Sequence, residues 1–249
     1  MVEIIRIRNN EIPEMERSIA CIGFFDGMHR GHQKLIARTV NAARASGISA
    51  AMICFSPDPL EVISGKRVSH LFSDEERYDI AASFGIEKII EIFFDESLMN
   101  MEAEAFIEKY LEKMNLAGLV CGYDFSFGKK GKGDPALLVK KTSFPVYVID
   151  EERYEGEKVS STRIKEAVRS GDFRLSEHLL GFPYYFIVTV EKASETGEKW
   201  LLRCRNKDKD CIMPQDGSYP GLFEVKDAEF LLYSDIRLKE RDTFRINTR

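Results

Sequence analysis

The chain has 249 residues, 44% of them hydrophobic and 31% charged, with a formal net charge of -5. That length and balance suit a globular protein with a sizeable core and room for a second small domain. The mildly acidic charge argues against a general nucleic-acid binder, which carries a basic face, and no run reaches the roughly 18 apolar residues of a bilayer span.

The first residues, Met1-Val2-Glu3-Ile4-Ile5-Arg6, contain no apolar stretch of the signal-peptide type. Ile19 to Phe24 form a short apolar run that ends in Gly-rich polar sequence. From about Gly31 to Ala45 the apolar residues Leu35, Ile36, Val40 and Ala43 recur at helical spacing, so the order is strand, loop, helix. Ser49 to Phe55 is a continuous apolar run, short enough for a buried strand, and Ser56-Pro57-Asp58-Pro59 follows as a loop. Ser73 with Glu76 three residues on has capping-box spacing and predicts a helix that ends near Gly85. Lys88 to Phe94 reads as a strand, Ala103 to Met114 as an amphipathic helix and Leu116 to Cys121 as a strand. A loop of Gly and Lys comes next, then a strand over Val146 to Ile149 and a helix over Ser161 to Arg169 with Gly171 just beyond it. Strands alternating with helices predict a parallel sheet covered on both faces, with ligands outside the carboxyl ends of the strands at a switch point.

The pattern changes after about Pro183. Tyr184 to Val190 alternates as a strand, and short strand-like runs follow between the turns Thr196-Gly197, Asp216-Gly217 and Pro220-Gly221. The expected division is an α/β domain over residues 1–182 and a small β domain over 183–249, the latter near the lower size limit for independent folding. Five scattered cysteines (Cys21, Cys54, Cys121, Cys204, Cys211) include no CxxC pair, and three lie in apolar runs. They are expected as reduced thiols, those three of them buried, in a cytoplasmic protein with no membrane partner; protein partners stay open.

The segment richest in chemistry is Gly23-Phe24-Phe25-Asp26-Gly27-Met28-His29-Arg30-Gly31-His32, which joins a buried strand to a helix start. Glycines there let backbone N–H groups approach phosphate, and the helix N-terminus adds a favourable dipole. His29 and His32 flank Gly31 and can both face one ligand, donating hydrogen bonds to phosphate oxygens where charge grows in a transition state. Taken singly, either could be an incidental polar residue at a helix cap; clustered with three glycines they favour a shared ligand. No Cys, Asp or Glu partner stands at metal-ligand spacing, so no metal is assigned to protein side chains.

His29-Arg30-Gly31-His32 resembles the HxGH motif of the nucleotidyltransferase superfamily. The longer string GFFDGMHRGHQ resembles the FMN adenylyltransferase module of the bacterial bifunctional riboflavin kinase/FAD synthetase family, whose motif reads G-x-F-D-G-V-H-x-G-H-Q. Phe55-Ser56-Pro57-Asp58-Pro59 is similar to that family's F-E-P-H-P loop. Gly122-Tyr123-Asp124-Phe125-Ser126-Phe127-Gly128 with Gly133-Asp134 is similar to its G-x-D-F-R-F-G…G-D loop. Val159-Ser160-Ser161-Thr162-Arg163-Ile164-Lys165 is similar to the I-S-S-T-x-x-R of the superfamily, and the resemblance covers roughly residues 18 to 185.

The resemblance implies a Rossmann-like nucleotidyltransferase domain that joins FMN and ATP into FAD and pyrophosphate with magnesium (Mg2+) carried by ATP. It implies that His29 and His32 cradle the ATP phosphates and that Gly23, Phe24, Phe25, Asp26 and Gly31 shape their loop. Ser161, Thr162 and Lys165 would meet phosphate at a second helix N-terminus, His29, His32, Ser161 and Lys165 being the catalytic set. Phe55, Pro57, Asp58, Pro59, Asp124, Phe125 and Phe127 would hold the flavin. The chain departs from the family at Lys165, where Arg is usual, at Ser126, where a basic residue is usual, and at Asp58, where His is common. Lysine keeps the charge but loses the bidentate fork. Nothing after Tyr185 contains the P-T-A-N of the family's riboflavin kinase barrel, so the expectation is a reduced, barrel-like β remnant and no kinase activity. Two alternatives stand beside this reading: transfer to another phosphorylated acceptor, and a non-catalytic flavin- or nucleotide-binding protein. Lys129-Lys130-Gly131-Lys132 reads either as a solvated loop or as a lid over a triphosphate; without interleaved aromatics it does not read as a nucleic-acid patch.

Overall fold

A computed structural model of the chain describes residues 2–8, 11–196, 199–215, 217–220, 222–226, 229–233 and 243–246. The chain divides into two compact units, Met1–Val68 with Asp74–Arg153, and Ser69–Ser73 with Tyr154–Arg249. The residues between 154 and 182, expected in the α/β part, group with the C-terminal strands.

The first unit is built on six strands: β1 (Glu3–Ile7), β2 (Ser18–Ile22), β3 (Ser49–Ser56), β4 (Lys88–Phe93), β5 (Leu116–Gly122) and β6 (Val146–Ile149). Their order is β1-β4-β3-β2-β5-β6 and every neighbouring pair is parallel. This is the α/β class expected of the sequence. β2 and most of β3 are buried on both faces, which is why they read as unbroken apolar runs rather than alternating ones. Successive residues still point to opposite faces. Ala20 and Ile22 join one core cluster with Ile53, Phe106 and Leu119, whereas Ile19 and Cys21 join the other with Met52, Ile36 and Tyr78. Burial pushes the thiols of Cys21 and Cys54 up to about 12 and that of Cys121 to about 11, so all three stay protonated and inert at neutral pH. Cys204 falls where no side chain is described.

From β2 the chain steps to β3 and then β4 on one side, with β1 as the edge strand beyond β4, and returns to β5 and β6 on the other. The order therefore reverses between β2 and β5, the place where an open parallel sheet opens a crevice. Helix α1 (Arg30–Ser46) follows β2, buries Leu35, Ile36, Thr39 and Ala43, and stops at Gly47, whose φ of 66° is the left-handed C-cap. Two helices were not expected, α2 (Pro59–Ser64), which begins at the last residue of the Ser56–Pro59 loop, and α6 (Pro135–Lys141), each with Asp as N-cap and Pro in the first turn. Helix α3 (Asp74–Ser83) starts where the capping-box spacing placed it. The helix expected over Ala103–Met114 is shorter: α4 (Glu96–Met99) precedes it, α5 spans Ala103–Lys109, and a 3₁₀ turn covers Leu111–Lys113.

The short strands β7 (Arg153–Tyr154) and β8 (Glu157–Lys158) pair with each other. The second unit contains α7 (Ser161–Ser170) and α8 (Phe173–Leu180), the latter not foreseen from sequence. Strands β9 (Tyr185–Thr196), β10 (Lys199–Asn206), β11 (Gly217–Pro220), β12 (Leu222–Lys226), β13 (Glu229–Tyr233) and β14 (Thr243–Ile246) complete it. Among the described residues they form a four-stranded antiparallel ladder, β10-β9-β13-β12, and a separate pair, β11-β14, so closure into a barrel stays an expectation. Tyr184 is fully buried in this unit; its hydroxyl donates to the Ile212 carbonyl at 2.7 Å, and the rings of Phe72, Phe173 and Phe186 surround it. No helix of the described residues is long and apolar enough to cross a membrane.

Candidate active site

Three sequence motifs leave three adjacent strands at their carboxyl ends: Gly23–His29 after β2, Pro57–Pro59 after β3 and Tyr123–Gly128 after β5. The reversal of strand order thus brings together loops far apart in sequence.

The first loop is tightly wound. The Gly23 N–H donates to the Ile53 carbonyl at 3.1 Å, which extends the ladder one residue past β2. Phe25, Gly27 and Met28 then take positive φ values of 60°, 81° and 47°. Two non-glycine residues in the left-handed region each carry strain of roughly 1–3 kcal/mol, which persists only where the surroundings enforce it. Here Phe25 and Met28 are buried, the Met28 N–H bonds the Phe25 carbonyl at 3.3 Å, and Gln33 Nε2 donates to the Met28 carbonyl at 2.9 Å. Asp26, also buried, lies inside the turn.

His29 is the N-cap of α1. Its Nδ1 accepts from the His32 N–H at 3.4 Å, so the proton of the neutral ring resides on Nε2. The His32 ring stacks on that of His29 with centroids 3.7 Å apart and planes 16° from parallel, and the Phe25 ring lies 5.2 Å from His32. A Cβ on Gly31 would come within 3.1 Å of the His29 ring, so this glycine gives the imidazole its seat. The first turn of α1 holds no acidic side chain, and the two rings sit at the N-terminal, positive end of its dipole. The result is a cluster of donors that suits an anion with several oxygens.

The two flanking loops are placed less simply. Phe55 is buried, with Phe94 edge-on at 5.9 Å and Phe106 at 6.4 Å. Phe127 is buried too, 5.7 Å from Phe106 and stacked on Phe125 at 5.6 Å. Both rings expected to face a flavin therefore pack in the core, while Phe125 is half-buried and Asp124 exposed. Asp58 is buried and its Oδ1 accepts from the Leu60 N–H at 2.7 Å, so the residue that departs from the family's His serves as a helix cap. Pro57 and Pro59 flank it, half-buried. Asp58→Ala removes that cap, and the expected result is a loss of about 1 kcal/mol, read as a lower urea midpoint at unchanged slope. Sequence reasoning missed Leu60 and Ile63 of α2, which are 60% and 59% exposed and share one helix face. Apolar spacing over so short a helix does not single them out; the start is signalled by Asp58-Pro59. The lysine loop is docked: the Lys129 N–H donates to the Met101 carbonyl at 2.7 Å and its ammonium lies 3.7 Å from Glu102.

Ser161, Thr162 and Lys165 belong to the second unit, in the first turns of α7, where the Ser160 hydroxyl is the N-cap and accepts from the Arg163 N–H at 3.3 Å. Arg163 itself is committed elsewhere, donating to the Tyr154 carbonyl at 3.0 Å and pairing with Glu157 at 3.1 Å. Among the described residues no three His, Cys, Asp or Glu side chains converge to hold a metal ion.

The FAD synthetase family profile matches residues 11–163. A bifunctional riboflavin kinase/FMN adenylyltransferase of Listeria monocytogenes is 30% identical over 213 residues, covering 83% of this chain and 68% of that protein. Its counterpart in Bacillus subtilis is 31% identical over 220 residues, covering 85% and 69%. An FAD synthetase of Listeria monocytogenes is 30% identical over 212 residues, covering 81% and 80%. A solved structure described as a macrolide-efflux protein from Streptococcus pneumoniae superposes with a TM-score of 0.80 at 23% identity, over 100% of this chain and 93% of that one. At that identity it speaks for the fold alone.

Proposed function

Because the chain belongs to the FAD synthetase family, we propose that it catalyses adenylyl transfer from ATP to FMN, giving FAD and pyrophosphate in the cytoplasm. The observation that carries this reading is the stacked His29–His32 pair at the N-terminus of α1, set where the strand order reverses. An FMN phosphate oxygen attacks the α-phosphorus of ATP, the new P–O bond forms in line, and the bond to the β-phosphate oxygen breaks. Pyrophosphate leaves with the electron pair. The attacking phosphate is already ionised, so no general base is needed and no covalent enzyme intermediate arises; positioning and charge stabilisation suffice.

His29 Nε2 and the His32 ring donate to the phosphates that become pyrophosphate, alongside the amides of the first turn of α1. Gly23, Phe24, Phe25, Asp26 and Gly31 hold the loop that aims them. Ser161, Thr162 and Lys165 keep the phosphate-binding role that the resemblance gives them, supported by their place at the start of α7. For the acceptor, Pro57, Pro59, Asp124 and Phe125 lie on the two flanking loops; Phe55 and Phe127 underlie these loops, Asp58 shapes the first, and exposed Leu60 and Ile63 offer the flat apolar surface a flavin ring needs. Magnesium bound with ATP would supply charge neutralisation on the phosphate oxygens. No protein cage for it is assigned.

The test is FAD formation from FMN and magnesium-ATP by the purified chain, with pyrophosphate released in equal amount. Flavin bound without turnover would favour a non-catalytic protein, and turnover with another phosphorylated acceptor would move the assignment there. From riboflavin and magnesium-ATP the chain is expected to make no FMN, since nothing after Tyr185 contains the P-T-A-N motif. FMN appearing in that assay would contradict the expectation.

A further inference from the structure

Ser56 ends β3 and opens the Pro57–Pro59 loop; Phe24 opens the loop that leads to His29. They are joined by two side chains from the first turn of α3. Ser56 Oγ donates to Asp74 Oδ2 at 3.0 Å. Asp74 Oδ1 pairs with Arg77 Nη2, and Arg77 Nη1 donates to the Phe24 carbonyl at 2.5 Å. The guanidinium also lies 4.5 Å over the Phe24 ring. The Arg77 side chain is only 3% exposed, and its buried Nε has no hydrogen-bond partner among the described residues.

A cation buried this deeply is costly unless its neighbours satisfy it. The groups that satisfy Arg77 lie on its own helix and on the phosphate loop, while Asp74 also holds the acceptor loop. The Phe24 carbonyl belongs to the peptide that leads into Phe25, the first left-handed residue of the turn. Gripping that carbonyl fixes the plane from which the turn starts, and with it the direction in which His29 and His32 point. Only a planar fork can hold a carboxylate and a carbonyl at once in this way; a lysine ammonium cannot reproduce it.

We propose that Arg77 is a positioning residue that couples the acceptor loop to the phosphate loop, relaying the state of Ser56 through Asp74 to Phe24. The proposal rests on reading these loops as the FMN and ATP sides of the reaction. It makes the affinities for the two substrates reciprocal, each raising the other by the same factor.

The experiment compares the wild-type chain with Ser56→Ala, Asp74→Asn and Arg77→Lys. Kinetic constants for FAD formation are measured at low and saturating FMN, melting temperatures are recorded, and the histidine ring resonances are followed by NMR. Ser56→Ala, the mildest change, should melt as the wild type does, lose the dependence of the ATP KM on FMN, and lower kcat about tenfold. Combining Ser56→Ala with Arg77→Lys should add nothing to Arg77→Lys alone, since both cut one chain of contacts. The His29 and His32 resonances should shift in all three single variants while those of His70 and His178 stay in place. Unchanged His29 and His32 resonances in Ser56→Ala and Arg77→Lys, or losses confined to melting temperature, would overturn the proposal. A wild-type chain that makes no FAD would refute the reaction instead, and the resonances would still decide the coupling.

Discussion

His32→Ala lowers kcat for FAD formation by roughly a hundred- to a thousandfold, the usual effect of deleting one donor aimed at developing charge, and leaves the fold intact. The second half of that expectation follows from the cap geometry. It is the backbone N–H of His32, not its ring, that bonds His29 Nδ1, so the truncated side chain still completes the start of α1. His29→Ala is different. It removes both a phosphate donor and the N-cap itself, so turnover falls and stability drops together, the latter by about 1 kcal/mol. Turnover and melting temperature measured on both variants separate the two roles. A His32→Ala chain that keeps near-wild-type turnover would remove the imidazole pair from the chemistry.

Gly128→Ala is the largest expected loss of stability near the site. Gly128 has φ 70° and ψ 179°, a conformation open essentially to glycine alone. An added Cβ would also lie 2.6 Å from Ala103 Cα and 2.7 Å from its backbone N, and backbone atoms cannot rotate away. The neighbouring bond from the Lys129 N–H to the Met101 carbonyl pins the loop against that same segment. The strain and the overlap together should cost at least about 3 kcal/mol, read as a fall in the urea midpoint. If the loop instead peels away from Ala103, the KM for FMN rises while the midpoint holds. A variant that matches the wild type in both would contradict the account of this loop.

The strands that carry the site were legible because a parallel sheet buries them on both faces, which leaves unbroken apolar runs such as Ala50 to Phe55. The first loop stands out in sequence for another reason: His, Asp and Gly at a strand-to-helix junction have few purely structural explanations. Helices α2 and α6 are too short for apolar spacing to reveal, although Asp58-Pro59 and Asp134-Pro135 each combine an N-cap with a proline in the first turn. The long helix expected to run to Met114 gives way after Lys109 to a tighter turn, in which the Lys113 N–H bonds the Tyr110 carbonyl three residues back, a change that apolar spacing does not report. Phe55 and Phe127 look alike in sequence whether they face a ligand or a core, and their contacts with Phe106 become visible only in the fold. Arg77 was beyond sequence reasoning altogether. Its partner Phe24 is 53 positions away, and nothing in the helix pattern of α3 distinguishes it from a solvated charge.

The most direct test of the central claim follows the phosphorus. The chain is incubated with FMN and ATP labelled at the α-phosphate, and products are separated by chromatography. Adenylyl transfer predicts label in FAD, unlabelled pyrophosphate in equal amount, and no labelled product when FMN is omitted. Label released as free AMP, or left in ATP while flavin binds, would contradict it.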